Sequence, residues 1–404
     1  MSKFYCPAPW TGGYFTFREQ AVCCADTKIP SSSPLQFMNS EYVKNMRREL
    51  LAGTPTGNCL ICKQKEEQGF QTIRKGYEMT DRMAGIEWIY DIDAPSVPKN
   101  IEVRFDNHCN FKCRMCGPDW SHLLAEEVRV NPNLKRWVRP IGTDGGRVET
   151  DQAFVEEILS MAPNLKQVYL TGGEPTISKP SMYFLDQLIE RGHAQNMALQ
   201  FATNTSVINP GYLDKLLKFK RVNVIMSIDA TGTVAEYQRH GTDWSKVSAN
   251  IEKYLQFRQA HPGKINTSIH CVITAYTVMD ADRMMTYVFD LFRRYGIFGL
   301  GITVVLGHAD QDLMLYSALR LGGRARIKAI DTLDRTVQIC EQNKDLVGKN
   351  TWLKERLDQF VHLSSRLKNE PVNDTSWEEF KTWTREFDLI RGESFESTFG
   401  VSLD

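Results

Sequence analysis

Ile101-Glu-Val-Arg-Phe-Asp-Asn-His-Cys-Asn-Phe-Lys-Cys-Arg-Met-Cys-Gly117 joins two signals that are informative together. Ile101–Phe105 is rich in β-branched and aromatic residues and is followed by Asp and Asn, which predicts a strand ending in a turn. Cys109, Cys113 and Cys116 then follow with the spacing C-x3-C-x2-C, on a loop that cannot be regular helix throughout. Three thiolates packed this closely can wrap one corner of a cubane cluster. Three ligands for four irons leave one iron open to chemistry. A structural zinc site takes four closed ligands, and no fourth ligand follows nearby.

Beyond this loop the pattern repeats. Strands are expected at Ile101–Phe105, Gln167–Leu170, Ala198–Thr203, Val222–Ile228, Asn266–Ile273 and Gly301–Leu306. Amphipathic helices are expected between them, at Ser121–Val128, Gln152–Met161, Met182–Arg191, Tyr212–Phe219, Trp244–Gln259 and Asp280–Tyr295. Six strand–helix units joined by right-handed crossovers give a parallel sheet, doubly wound or curled into a (β/α)6 partial TIM barrel. This α/β region spans residues 99–310, after a junction at Pro95 and Pro98. Residues 311–404 read as a helical C-terminal region, with Arg324–Asn343 and Thr351–Asn369 as its main elements.

Residues 1–98 form a different segment, cysteine-rich and poor in large aliphatics. A hairpin is expected from Tyr14–Phe17 and Ala21–Cys24, and a helix near Ser40–Ala52. So small a core calls for another source of stability, such as a metal. Eight of the ten cysteines fall within the first 116 residues, which in a reducing cytosol reads as metal ligation rather than cross-linking. Cys6, Cys23 or Cys24, Cys59 and Cys62 can supply four thiolates to zinc or to an iron–sulfur cluster. Cys271 and Cys340 fall in a strand and a helix and read as core thiols, with Cys271 able to face a barrel interior.

The composition bounds the function. The chain of 404 residues holds 42% apolar and 24% charged residues, a globular balance. Its 49 basic and 49 acidic side chains cancel, which argues against a nucleic-acid partner. The strongly apolar run 297–307 is about half of what a bilayer crossing needs, and residues 1–10 show no apolar signal core, so the expected compartment is the cytoplasm.

The triplet at the end of the first strand of a (β/α)6 unit resembles the radical S-adenosylmethionine (SAM) superfamily. The resemblance implies that the open iron chelates the amino and carboxylate groups of SAM. One electron then cleaves the sulfonium to a 5′-deoxyadenosyl radical, which abstracts hydrogen from a substrate. Thr171-Gly172-Gly173-Glu174-Pro175, after the second strand, is similar to the family's GGE motif. There two glycines admit close backbone approach, and Glu174 with nearby carbonyls receives the methionyl ammonium. Met115 stands where the family often has an aromatic residue that packs near adenine. Asn204 supplies a further polar contact, or caps a turn. Ser227 and Asp229 suit the two ribose hydroxyls, or form a strand-end turn. Arg239 resembles an arginine that pairs with the SAM carboxylate; a surface salt bridge is the competing reading.

The N-terminal cysteines resemble the Twitch and SPASM auxiliary-cluster modules of that superfamily, here placed before the core. They are similar to an N-terminal Twitch group whose Arg-Gly near the C-terminus has a counterpart in Arg391-Gly392. The resemblance implies one auxiliary [4Fe–4S] cluster on Cys6, Cys23, Cys59 and Cys62, with Cys23 favoured over Cys24. It also implies a flavodoxin- or ferredoxin-type electron donor. A four-cysteine cluster has no open iron, and its natural role is to accept the electron left after hydrogen abstraction. Such modules point to oxidative or rearranging modification of a peptide or protein side chain. The alternative is dehydrogenation of a small polar molecule such as a sugar or aminocyclitol alcohol. A non-catalytic metal-binding redox or structural protein is a third class: a structural zinc protein requires both motif matches to be accidental, and a redox carrier rarely needs a six-unit barrel with an open iron. No carboxylate, His or Tyr is singled out by spacing as an acid or base, so the catalytic residues stay unknown.

Overall fold

The computed structural model describes residues 4–31, 33–67, 72–136, 148, 150–305, 314–348 and 351–404. Along the chain the strands are β1 (Gly12–Thr16), β2 (Glu19–Ala21), β3 (Ile29–Pro30), β4 (Asn100–Arg104), β5 (Lys112–Cys113), β6 (Gln167–Leu170), β7 (Ala198–Thr203), β8 (Arg221–Ser227), β9 (Arg239–His240), β10 (Ile265–Ile273) and β11 (Gly299–Val304). Five of the six strands expected from sequence lie wholly among the described residues, and each is present to within two residues. Leu306, which ends the sixth expected strand, lies outside the described residues. Two compact units divide the chain. Residues 1–106, 148–202 and 209–222 make the first, and residues 107–147, 203–208 and 223–404 the second.

In the first unit the strand order is β7-β6-β4-β1-β2-β3. β1, β4, β6 and β7 run parallel, while β2 and β3 turn back antiparallel. The expected hairpin is therefore present, begins two residues earlier than its apolar pattern suggests, and is continuous with the main sheet through β1. Ile101, Val103, Val168, Leu170, Leu199 and Phe201 are buried on one face of these strands. Parallel strands alternate their side chains, so the intervening residues occupy the opposite face.

The N-terminal part of this unit replaces a large aliphatic core with a buried cation. Arg47 is fully buried, and its guanidinium donates to the carbonyls of Pro9, Met38, Ile92 and Ala94 at 2.8–3.2 Å. It also lies over Trp10, whose Nε1 donates to the Asp91 carbonyl at 2.8 Å and whose ring stacks on Tyr5. Planar, multiply donating arginine can join three stretches of chain, at Pro9, at Met38 and at Ile92–Ala94, that share no ladder. The helix Glu41–Ala52 that carries Arg47 is capped by Ser40 and ends at Gly53 in the left-handed conformation.

The second unit holds β8, β10 and β11 side by side in that order, with β10 and β11 parallel. β5 and β9 form a separate two-stranded antiparallel pair. Its helices include Trp244–Ala260, Ala281–Tyr295, Gly323–Gln342 and Thr351–Asn369, close to the expected bounds. A further long helix, Asp374–Arg391, was not singled out by the sequence pattern. It buries Phe380, Trp383 and Phe387 in an aromatic cluster with Tyr276, Phe395 and Phe399. The result is a mixed α/β fold on a parallel sheet, consistent with a partial barrel. No helix among the described residues is long and apolar enough to cross a membrane.

One buried carboxylate gives the first unit a pH signature. Asp81 is fully buried, accepts from Thr11 Oγ1 at 2.8 Å and from Asn100, and burial raises its pKa to about 6. A carboxyl whose folded pKa exceeds its unfolded value stabilises the fold below about pH 4, and that contribution is lost as pH rises through 6. Asp81→Asn is therefore expected to remove a decline of about 2–3 kcal/mol between pH 4 and 6.5. Urea unfolding of both proteins across that range measures the difference.

Candidate active site: a cysteine loop and an N-terminal cysteine pocket

The cysteine loop has almost no ladder of its own, so other groups impose its shape. Within the second unit, Lys112 and Cys113 pair with His240 and Arg239 across β5 and β9. The Arg114 N–H donates to the Gln238 carbonyl at 2.8 Å, and Gly241 follows at a φ of 103°. A Cβ at Gly241 would stand 3.0 Å from the Asn110 carbonyl oxygen, so the close approach to the loop requires glycine. Ser121 caps the helix His122–Val130 and donates its hydroxyl to the Phe111 carbonyl at 2.6 Å. The Cys109 N–H donates to His122 Nδ1 at 3.2 Å. That bond assigns the imidazole proton to Nε2 if the ring is neutral.

Cys109 and Cys113 are buried, and Cys116 is partly exposed. Two polar side chains named from sequence stand at their sulfurs. Asn204 Nδ2 lies 4.0 Å from Cys109 Sγ and donates to Asn110 Oδ1 at 3.0 Å. Arg239 Nη1 lies 3.9 Å from Cys113 Sγ, while its Nε donates to Asp229 Oδ2 at 2.7 Å. Arg239 and Asp229, given separate roles in the sequence reading, are thus one buried ion pair beside the cysteine loop. The other Asp229 oxygen accepts from the Val272 N–H at 2.9 Å. Burial pushes the Cys113 thiol up and the Arg239 charge opposes it. Donors aimed at sulfur suit thiolates ligating an iron–sulfur cluster, because hydrogen bonds to the sulfurs tune such a centre. The donor set therefore fits the group that the spacing implies.

Ser227 ends β8 two residues before Asp229, and Met115 lies between Arg114 and Cys116 with partial exposure. Cys271, in β10, donates its thiol to the Asp229 carbonyl at 3.4 Å and is buried, as a core thiol would be.

The glycine motif lies in the first unit, after β6. Gly172 has a φ of 119°, and a Cβ there would meet Arg104 Cγ at 2.5 Å. No other residue fits. Glu174 is buried and accepts from the Thr176 N–H and hydroxyl at 3.1 and 2.7 Å. Gly173, between them, is partly exposed.

The N-terminal cysteines also converge within the first unit. Cys6, Cys23, Cys59 and Cys62 line one pocket together with Asp26 and Tyr77. Cys24 does not line it and is exposed. Burial pushes the Cys6, Cys23 and Cys59 thiols up, Cys23 to about 11 and Cys59 to about 12. Among the described residues, no three His, Cys, Asp or Glu side chains draw close enough to share a single ion.

Sequence reasoning missed a row of polar groups across the parallel strands. Tyr14, Glu102, Tyr169 and Gln200 are direct register partners on β1, β4, β6 and β7. Glu102, Tyr169 and Gln200 keep partial exposure, while the residues between them are buried. Glu102 accepts from Thr171 Oγ1 at 3.1 Å, and burial raises its pKa. The available signal was alternation: parallel strands covered on both faces read as continuous apolar runs, and these do not.

The model of the Radical SAM superfamily matches residues 103–288. None of the curated proteins matches the chain. Among solved structures, anSMEcpe with bound AdoMet is 16% identical over 60% of this chain and 59% of its own, with a TM-score of 0.39. SuiB from Streptococcus suis is 14% identical over 76% and 61%, with a TM-score of 0.39. The radical S-adenosylmethionine methyltransferase TsrM from Kitasatospora setae is 13% identical over 50% and 35%, with a TM-score of 0.37. The chain thus spans about three fifths of the first two and a third of TsrM, and these likenesses carry no argument of their own. The family match opens on Val103 in β4 and takes in the cysteine loop, the glycine motif and the Asp229–Arg239 pair: over residues 103–288 this chain is similar to the radical SAM superfamily.

Proposed function

We propose that the protein is a radical SAM enzyme that holds a catalytic [4Fe–4S] cluster on Cys109, Cys113 and Cys116. The observation that carries this is the loop itself, with three thiols immediately after β4 and the Asn204 and Arg239 donors at two sulfurs. When bound, the cluster supplies the electron that cleaves SAM to a 5′-deoxyadenosyl radical. The protein's own groups hold and orient. The Gly172 turn is proposed to let backbone approach the cofactor, and Glu174 to receive its ammonium. Arg239, held by Asp229, keeps the remainder of its guanidinium for the cluster sulfurs or the SAM carboxylate. Asn204, Ser227 and Met115 complete the proposed cofactor contacts.

Cys6, Cys23, Cys59 and Cys62 are the proposed ligands of an auxiliary [4Fe–4S] cluster, in a Twitch-like module over residues 1–98. Their shared pocket, which excludes Cys24, supports the choice of Cys23. Residues 99–310 are the proposed radical core and 311–404 a helical addition. A closed cluster suits the removal of a second electron, so oxidative modification of a peptide or protein side chain is the proposed reaction, with a flavodoxin- or ferredoxin-type donor. The partly exposed row of Glu102, Tyr169 and Gln200 favours a polar group on that substrate, and it equally suits a small polyhydroxylated molecule.

Anaerobic reconstitution is expected to give about eight irons per chain. Replacing Cys109, Cys113 and Cys116 by Ala together should leave about four and abolish 5′-deoxyadenosine formation. No iron in the wild type would sink the proposal. Four irons and one zinc would keep the radical core and remove the electron acceptor. At the second site, Cys23→Ala is expected to lower the iron content to about four, while Cys24→Ala leaves about eight.

A further inference from the structure

Lys112 and Arg114 flank Cys113, and both are committed to acidic groups on or bound by a segment more than 250 positions away. Arg114 is buried to 0% side-chain exposure. Its Nη2 donates to Asp388 Oδ1 at 2.6 Å and to Glu393 Oε2 at 2.5 Å, and its Nε donates to the Tyr237 carbonyl at 3.1 Å. The guanidinium lies 3.7 Å from the centre of the Tyr237 ring, and the Tyr237 hydroxyl donates to the same Asp388 oxygen at 2.7 Å. On the other side of Cys113, Lys112 Nζ donates to Glu127 Oε1 at 2.5 Å. Arg391, also at 0% side-chain exposure, donates to both Glu127 oxygens, with its shortest contact at 2.6 Å. His240, beside Arg239 on β9, meets Glu393 Oε1 at 2.5 Å.

All of these groups lie in the second unit. The three cations Lys112, Arg114 and Arg391 balance the three carboxylates Glu127, Asp388 and Glu393. The helix Asp374–Arg391 ends at Gly392 in the left-handed conformation, and this turn directs Glu393 back toward Arg114 and His240. Asp388 Oδ2 then accepts from the Phe395 N–H at 2.7 Å, which closes the turn. An exposed pair would contribute little, but a network this buried is costly to break, because removing one member leaves a charge uncompensated.

We propose that the stretch Asp388–Glu393 is a positioning element for the cysteine loop: Asp388, Arg391 and Glu393 fix both neighbours of Cys113 and so set the electronic environment of the centre it ligates. This rests on the reading of the loop as a cluster site. The segment touches no reacting atom. It acts through Arg114, Lys112 and His240, which hold β5 against β9 and so hold Arg239 at the Cys113 sulfur. Positive charge and sulfur hydrogen bonding near a cluster raise its potential, so the carboxylates that neutralise Arg114 hold that potential down.

The test uses the reconstituted full-length protein with SAM as the probe. Asp388→Asn, Glu393→Gln and Lys112→Met are compared with wild type, and Asp388→Glu serves as the conservative variant. The readouts are the midpoint potential, the SAM-induced change in the electron paramagnetic resonance spectrum of the reduced protein, the SAM dissociation constant and thermal stability. Asp388→Asn and Glu393→Gln are expected to raise the potential, alter the SAM-induced spectrum and weaken SAM binding tenfold or more. Asp388→Glu should recover most of each. Glu393 and Lys112 have side chains 18% and 26% exposed, so their variants carry the test should Asp388→Asn fail to fold. Wild-type potential, spectrum and SAM affinity in variants that only melt earlier would overturn the inference and leave a structural brace. A wild type with no SAM-responsive cluster would remove the cluster reading itself, and this inference with it.

Discussion

A loop that must present three thiols cannot also run as a helix or a long strand, and this constraint organises its surroundings. Its backbone groups need partners, since an unpaired buried N–H costs about as much as a lost hydrogen bond. The partners come from several elements: the Gln238 carbonyl, the Ser121 hydroxyl, His122 and a two-residue pairing with Arg239 and His240. The surroundings therefore determine which way each sulfur faces. The same logic accounts for Gly241, where a side chain would push the pairing strand away from the loop.

Much of the architecture was legible because parallel strands and their helices are short, dense and punctuated. β6 and β7 have the limits that their β-branched and aromatic content suggests, and β4, β8 and β10 differ by one residue. The cysteine loop was legible because its chemistry is written in consecutive positions. Pairings across long separations were not. Nothing near Arg114 announces Asp388 or Glu393, and nothing near Tyr14 announces Glu102 as its register partner. The Asp229–Arg239 pair shows a subtler failure. Both residues were identified from sequence, but a motif position assigns one role at a time, whereas a carboxylate 2.7 Å from a guanidinium has already committed much of both. The helix Asp374–Arg391 carries Phe380, Trp383 and Phe387 at helical spacing, and its abundant charge masked that stripe.

The N-terminal segment looked too poor in aliphatics to hold itself without a metal. The structure supplies another contribution. Arg47 at the centre of four carbonyls, with Trp10 and Tyr5 stacked beside it, replaces apolar packing by directed bonds. Such a centre tolerates little change, because lysine cannot reproduce the planar fork. It also leaves the cysteine pocket lined by groups held from behind, so its shape does not depend on the thiols alone.

The parallel pairing of Gly12–Thr16 with Asn100–Arg104 has a consequence for how the protein is made. During synthesis the first strand emerges long before its neighbour and must wait for it, at the loop-closure cost that any distant pairing carries. Cys6 and Cys23 flank that waiting strand. Until the neighbour arrives that strand belongs to an unfinished sheet, with a hairpin partner on one side alone. Every residue that lines the cysteine pocket lies between Phe4 and Tyr77, so the chain that builds the pocket is made before the strand beside it gains its parallel neighbour.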